Sequence, residues 1–246
     1  MEMISDILLE EVKERLRGTK IRDLRIGISY TGILLDSGEM GVSYSFAEEK
    51  GSCCDVVEDA GDFLGKDAVE VAKLINQPSA IVSSLGMAAM NAVFNQGRGE
   101  KGDLLDFLGI RKNESVGMVG DFRPVISKID QDIELFVFER NSNGPNTYPD
   151  YAAERILPEV DLAIISGTTI LNNTLDHLLD LCQSARKIAL LGPTTPMAPE
   201  AFVDKNVDIL AGSMIKNEKN ALEVISQGGG THALHDSIEK YNIIIS

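Results

Sequence analysis

The chain has 246 residues, of which 43% are hydrophobic, and its 23 basic and 38 acidic side chains give a formal net charge of −15. This length suits one large or two modest domains with a proper core. The charge argues against nonspecific binding to nucleic acid or to an anionic membrane, and no apolar run reaches the ~18 residues that a membrane-spanning helix needs. Because the N-terminus is acidic and amphipathic rather than a secretory signal, we expect a cytoplasmic protein.

The first part of the chain predicts an amphipathic helix followed by β-strands. The helix has one apolar face, formed by Ile4, Ile7, Leu8, Val12 and Leu16. Two β-rich runs follow at residues 23–36 and 39–49, and Ser37-Gly38 separates them. A glycine turn between such runs favours an antiparallel hairpin or meander.

Two further helices are expected at residues 67–76 and 79–95, and small side chains along one side of the second permit close packing. The segment 95–103 is glycine-rich and charged, which is typical of an inter-domain linker. We therefore expect an N-terminal α+β domain at residues 1–100 and a second domain at residues 101–246.

From residue 110 onward, short apolar strands alternate with helices. Each strand is nearly continuous in Val, Ile and Leu, as strands buried on both faces are, and the predicted strands are 115–119, 133–139, 161–166, 187–192 and 207–212. Helices are predicted between them at 150–157, 171–185, 199–204 and 218–227. This alternation predicts an α/β fold with a Rossmann-like parallel sheet and right-handed crossovers.

The segment GMVGDFRP, which starts at Gly117, predicts a turn where such a sheet would hold a ligand. Gly117 and Gly120 precede Pro124, and proline is favoured in the first turn of a helix. Glu139 lies nineteen residues past Gly120, and dinucleotide-binding folds place a ribose-binding acid at about 20 residues. Only part of the three-glycine fingerprint is present, and Asp121 adds negative charge. A plain turn or a different ligand is therefore favoured over a dinucleotide.

Polar residues and glycines recur after the predicted strands, at the carboxyl edge where open parallel sheets bind ligands. Glycine lets a ligand approach the backbone, while hydroxyls and helix N-terminal N–H groups donate to anionic oxygens. Any one loop can be an ordinary turn with a helix cap, but several on one edge predict a shared crevice. The candidate ligand-binding residues are Gly117, Met118, Gly120, Asp121, Phe122, Pro124, Glu139, Gly167, Thr168, Thr169, Asn172, Gly192, Pro193, Thr194, Thr195, Gly212 and Ser213.

The sequence contains neither a G-x-x-x-x-G-K-[ST] loop nor a G-x-S-x-G elbow, which disfavours a P-loop NTPase and a triad hydrolase. Asp121 and Glu139 are the candidate catalytic proton acceptors. His232, His235 and Asp236 are the candidate ligands of a divalent metal, although two histidines near a chain end are more often incidental.

Three cysteines do not make a disulfide framework. Cys182 is expected on a helix, with its side chain in the hydrophobic core. Cys53 and Cys54 are a weaker candidate for a soft-metal site, since adjacent side chains rarely converge on one ion without further ligands.

An ordered set of motifs, YTGILLDSGEMGVSY, GMVGDFRP, SGTTILNNT and GPTTP, resembles the family of putative heavy-metal chelation proteins. The resemblance covers most of the chain and implies an enolase-N-terminal-like domain followed by a Rossmann-like domain. It also implies a small-molecule or metal-related site at the domain junction. Residues that carry this implied site are Gly117, Gly120, Phe122, Pro124, Gly167, Thr168, Thr169, Asn172, Gly192, Pro193, Thr194 and Thr195.

The leading hypothesis is a protein that binds a small anionic metabolite or a metal-chelating cofactor in the cleft between its domains. A nucleotide-cofactor enzyme (NAD or S-adenosylmethionine), a metal-delivery protein and a non-catalytic scaffold are the alternatives. Rossmann-like sheets often self-associate, so a homodimer is expected as well. The sequence does not decide between a divalent metal and a nucleotide-type ligand, and fold alone does not decide function.

Overall fold

The computed structural model describes residues 2–49, 56–140, 144 and 146–245; Cys53 and Cys54 lie outside this part of the chain. The N-terminal elements are α1 (Ile4–Leu16), β1 (Ile21–Ile26), β2 (Tyr30–Leu35), β3 (Met40–Tyr44), α2 (Ala68–Ala72) and α3 (Ala80–Phe94). The strands form an antiparallel meander in the order β1-β2-β3. The first predicted β-run divides into two strands because the Gly27 N–H donates to the Tyr30 carbonyl at 2.9 Å and closes a turn.

The rest of the chain alternates helices and strands. Its helices are α4 (Leu104–Leu108), α5 (Arg123–Ile126), α6 (Ala153–Ile156), α7 (Leu175–Leu181) and α8 (Glu218–Ser226). Its strands are β4 (Ser115–Val119), β5 (Glu134–Phe138), β6 (Thr147–Tyr148), β7 (Leu162–Ser166), β8 (Lys187–Leu191), β9 (Ile209–Ile215) and β10 (Ile238–Ile244).

These seven strands form one sheet in the order β10-β9-β8-β7-β4-β5-β6. All neighbours are parallel except β10, which runs antiparallel to β9. Counted along this region from the β6 edge, the order is third, second, first, fourth, fifth, sixth, seventh, and its first six positions are typical of doubly wound sheets. The predicted fold class is thus confirmed: a mostly parallel sheet with helices, beside a smaller antiparallel sheet.

The sequence patterns do not predict β6 or β10. β6 has only two residues, and β10 mixes Glu239 and Lys240 with its apolar residues, so neither has the continuous apolar run of a doubly buried strand. At the sheet edge, β10 does not need such a run, because one side of an edge strand is open to water.

The helix predicted at 171–185 is shorter in the structure. A 3-10 turn spans Gly167–Ile170, and Asn173 adopts a positive φ of 57° before α7 begins at Leu175. Asn is among the few residues that tolerate this left-handed backbone, and a helix cannot continue through it. The helix predicted at 199–204 is likewise wrong, since this stretch is a 3-10 turn at Pro199–Phe202.

The small sheet is packed on both faces. On one face, β3 approaches α3 so closely that a methyl group on Gly41 would lie 2.2 Å from the Ala88 carbonyl oxygen. On the other face, a methyl group on Gly32 would lie 2.6 Å from Ile225 of α8. The small sheet therefore lies between a helix of its own region and a helix of the C-terminal region.

The core is continuous across both regions, since Leu85 of α3 and Ile165 of β7 belong to one cluster of buried side chains. The predicted linker is also bonded to the large sheet, because Glu100 and Asn242 of β10 exchange two backbone hydrogen bonds. In the part of the chain that the structure describes, no helix combines the length and apolar character needed to cross a membrane.

Candidate functional site

A cavity of about 700 Å³ lies between the small sheet and the carboxyl edge of the large sheet. The loops after β4, β5, β7 and β8 line it, and so do Tyr30, Tyr44 and Phe46 of the N-terminal region. Strand order reverses between β4 and β7, and this is the place where doubly wound sheets bind ligands.

Ten of the candidate ligand-binding residues line this cavity: Gly120, Asp121, Phe122, Glu139, Thr168, Thr169, Asn172, Gly192, Pro193 and Thr194. The others do not: Gly117, Met118, Pro124, Gly167, Thr195, Gly212 and Ser213. Gly117 and Met118 are buried within β4. Gly212 and Ser213 were expected in a loop, but β9 continues to Ile215 and they lie inside the strand.

The ring of Phe122 covers both glycine turns at the sheet edge. Gly120 and Gly192 have positive φ angles of 106° and 121°, a backbone conformation that residues other than glycine rarely adopt. A methyl group on Gly120 would lie 3.1 Å from the Phe122 ring, and one on Gly192 would lie 3.6 Å from it. An aromatic ring therefore occupies the surface that glycine turns leave open for phosphate in dinucleotide-binding folds.

The segment around Thr195 lies in the interface between the two regions rather than in the cavity. The Asn95 side chain at the end of α3 donates to the carbonyl oxygens of Thr195 (3.0 Å) and Ser213 (3.1 Å) and accepts from the Met197 N–H (2.9 Å). Asn91, one turn earlier, donates to the Thr194 carbonyl oxygen at 3.0 Å. These amides attach α3 to the loop after β8.

Most hydroxyls at the floor of the cavity have partners within the protein. Ser166 and Thr168 share a hydrogen bond of 2.7 Å, and Thr169 donates to the Ser166 carbonyl oxygen at 2.7 Å. The Thr194 hydroxyl accepts from the backbone N–H of Tyr44 at 2.9 Å. The last bond fixes the end of β3 against the large sheet and so sets the width of the cavity.

The cavity is strongly acidic, with six carboxylates and one arginine in its lining: Glu48, Glu49, Asp121, Glu139, Asp150, Glu154 and Arg140. Most of these acids have a basic partner. Arg123 binds Asp121 through Nε at 2.6 Å, and Arg140 lies 2.9 Å from Glu49 and 3.4 Å from Asp150. His177, which also lines the cavity, contacts Glu154 at 2.6 Å.

Glu48 and Glu139 differ from these acids. Within the described residues, no Lys, Arg or His forms an ion pair with either carboxylate. Glu48 accepts a long hydrogen bond of 3.3 Å from the Tyr44 hydroxyl, and Glu139 accepts from the backbone N–H of Arg140 at 2.8 Å. Two carboxylates without an ion-pair partner among the described residues therefore face the same cavity.

Three aromatic rings form an edge-to-face series along one wall. The ring centroids of Tyr30 and Tyr44 are 6.2 Å apart, and those of Tyr44 and Phe46 are 5.1 Å apart. Burial and the neighbouring Glu48 carboxylate raise the pKa of Tyr44 to about 12, so that Tyr44 is a neutral phenol at physiological pH. Burial also raises the pKa of Tyr30, whose hydroxyl contacts Thr231 at 2.7 Å.

The sequence analysis did not assign these residues of the N-terminal wall. A signal was available in the sequence: Tyr44 and Phe46 are two residues apart, a spacing that puts side chains on one side of an extended chain, and Glu48 is two residues further on. Which way that side faces depends on how the sheet packs.

The candidate metal ligands His232, His235 and Asp236 are not part of the cavity lining. His235 and Asp236 are highly exposed and contact each other at 3.2 Å. Among residues 2–49, 56–140, 144 and 146–245, no three His, Cys, Asp or Glu side chains are arranged to hold a metal ion. The structure thus does not assemble these three residues into a metal site.

Fold and cavity define a class of α/β proteins in which a small antiparallel sheet covers the carboxyl edge of a doubly wound sheet. The chain belongs to the DUF364 family, whose model matches residues 103–244 and whose description is "putative heavy-metal chelation". A second family model with the same description, DUF4213, matches residues 9–94. The resemblance inferred from the motifs is confirmed.

Relatives with this architecture occur in archaea and bacteria. The chain is 27% identical to an uncharacterised protein of Methanocaldococcus jannaschii, over 98% of this chain and 99% of the relative. A crystal structure of a DUF364 protein of unknown function from Pyrococcus horikoshii shares 27% identity at a TM-score of 0.86, covering 98% of this chain and 100% of the other. One from Desulfitobacterium hafniense shares 24% identity at a TM-score of 0.83, covering 98% and 96%.

Proposed function

We propose that the protein binds a small metal-carrying ligand in the cavity between the two sheets and takes part in heavy-metal or metallocofactor handling. The acidic lining of the cavity carries this proposal, because carboxylates favour a ligand with net positive charge. The family description, which concerns heavy-metal chelation, supports the same reading.

The size and chemistry of the cavity favour a metal complex over a bare ion. Small-molecule sites typically measure about 300–1,000 Å³, and this cavity of about 700 Å³ lies in that range. Heavy metals prefer soft sulfur and imidazole ligands. The described lining offers neither Cys nor Met, and its one histidine is paired with a glutamate. A bound chelator would supply the missing donor atoms.

The same lining disfavours the other ligands considered from the sequence. An anionic metabolite would face six carboxylates against one arginine. A dinucleotide would in addition meet the Phe122 ring over Gly120 and Gly192, where its pyrophosphate would otherwise lie. The nucleotide-cofactor enzyme is therefore not favoured.

Thermal denaturation with a matched set of metal complexes tests the proposal. Ni²⁺, Co²⁺ and Zn²⁺ are each added alone, as a cationic ethylenediamine complex and as an anionic nitrilotriacetate complex. We expect the cationic complexes to raise the melting temperature most, since a ligand at one hundred times its Kd stabilises the folded state by about 2.7 kcal/mol. Native mass spectrometry of the purified protein identifies any ligand that copurifies.

Two substitutions on β5 provide the control. Glu139 follows this strand at the cavity, whereas Glu134 is exposed at its opposite end. Glu139→Gln should reduce the shift caused by the cationic complex, and Glu134→Gln, which removes the same charge, should leave it unchanged. The proposal fails if no metal species stabilises the protein, or if the anionic complexes do so as well as the cationic ones.

The remaining partner predictions stay predictions. The net charge of −15 supports a protein that binds neither nucleic acid nor an anionic membrane surface, and the cytoplasmic location stays a prediction. The prediction of a homodimer rests on the general tendency of such sheets to associate. Light scattering of the purified protein measures its mass in solution directly.

A further inference from the structure

We propose that the ligand of this cavity carries an ammonium group, and that Tyr44, Glu48 and Glu139 bind it. This inference rests on the proposed function for the location of the ligand, but it requires no metal. It names the part of the ligand that the N-terminal wall recognises.

The first argument is charge compensation. Four of the six lining carboxylates already have a basic partner, and Glu48 and Glu139 have none within the described residues. Glu48 is exposed and Glu139 is half-buried at the cavity, and a cation on the ligand would be attracted by both of these unpaired carboxylates. An ammonium group donates up to three hydrogen bonds, which suits two carboxylates and a phenol oxygen.

The second argument is the aromatic wall. The rings of Tyr30, Tyr44 and Phe46 all line the cavity, and adjacent rings meet edge to face. Aromatic ring faces attract organic cations as well as apolar methylene groups. An alkyl chain that ends in an ammonium group matches both the rings and the neighbouring acids, whereas a hydrated metal ion matches only the acids.

The third argument is that the three groups come from both sides of the cavity and are held in place. Glu48 follows β3, and Glu139 follows β5. The charges of both acids act on the Tyr44 hydroxyl and contribute to its raised pKa. The backbone of Tyr44 is bonded to the Thr194 side chain at 2.9 Å, which fixes the phenol relative to the large sheet. Tyr44, which lies between the two acids, is therefore held in place before a ligand arrives.

Calorimetric titration with 1,4-diaminobutane and with 1,4-butanediol tests the inference, because the two probes share a carbon chain and differ in charge. We expect saturable binding of the diamine and none of the diol. Glu48→Gln and Glu139→Gln should each weaken the diamine about tenfold or more, as expected when a hydrogen bond to a charged group is lost. Tyr44→Phe, which keeps the ring, should weaken it less than either.

Glu134→Gln is the matched control and should leave diamine affinity unchanged. An equal loss in Glu134→Gln and Glu139→Gln would mean general charge attraction and would overturn the inference, as would equal binding of diol and diamine or no saturable binding of the diamine. If the cationic metal complexes bind and the diamine does not, the ammonium site is wrong and the proposed function stands. If neither the cationic metal complexes nor the diamine bind, the ammonium site and the proposed function are both wrong.

Discussion

At the scale of single residues, Gly41 lies where β3 and α3 leave no room for a side chain. A methyl group on this residue would lie 2.2 Å from both the Ala88 carbonyl oxygen and the Ala92 nitrogen. We expect Gly41→Ala to lower the free energy of unfolding by about 2–3 kcal/mol, because β3 must move away from α3. Urea denaturation measures the change.

Gly230→Ala is the control for Gly41→Ala. Its methyl group would meet nothing nearer than the Ser29 hydroxyl at 3.5 Å, so we expect a change within about 0.5 kcal/mol. Equal losses in the two variants would contradict a specific close approach of β3 and α3.

At the scale of elements, the end of α3 is attached to the loop after β8 through Asn95. Its side chain satisfies the carbonyl oxygens of Thr195 and Ser213 and the Met197 N–H. We expect Asn95→Ala to lower the free energy of unfolding by about 3 kcal/mol, since three buried backbone groups lose a partner. Chemical denaturation followed by circular dichroism checks this.

Asn76→Ala is the matched control for this element, because the exposed Asn76 side chain bonds, among the residues that the structure describes, only to Asp6. A loss of less than about 1 kcal/mol is expected there. If Asn95→Ala is as mild as Asn76→Ala, the amide does not hold the helix to the loop.

At the scale of the whole molecule, the two sheets share a core and should unfold together. Tyr30, Met40 and Val42 of the small sheet are buried together with Ile225 and Leu234 of the C-terminal region. We expect one calorimetric transition for the full chain. A fragment of residues 1–100 should bind hydrophobic dyes and lack near-ultraviolet circular dichroism, because this apolar face is uncovered. Two separated transitions, or a well-folded fragment, would contradict the shared core.

The sequence predicted the doubly wound part well because its signals are local. Doubly buried strands need continuous apolar runs, so all five predicted strands are present, with ends that differ by up to three residues. Parallel strands end at one edge, so Gly120, Thr168 and Gly192 converge as expected. The predicted helix bounds were less accurate where a single backbone angle decides where a helix begins, as the positive φ of Asn173 does before α7.

The sequence by itself determined the fold class, the family and the edge of the sheet at which the cavity lies. Only the tertiary structure decided which residues form the opposite wall of the cavity and that its lining is acidic. It also decided that Thr195, Gly212 and Ser213 do not line the cavity. The reason is physical: strand order follows from local periodicity, whereas the direction in which Tyr44 and Glu48 face depends on how α3 and α8 pack against the small sheet, through contacts between residues far apart in the chain.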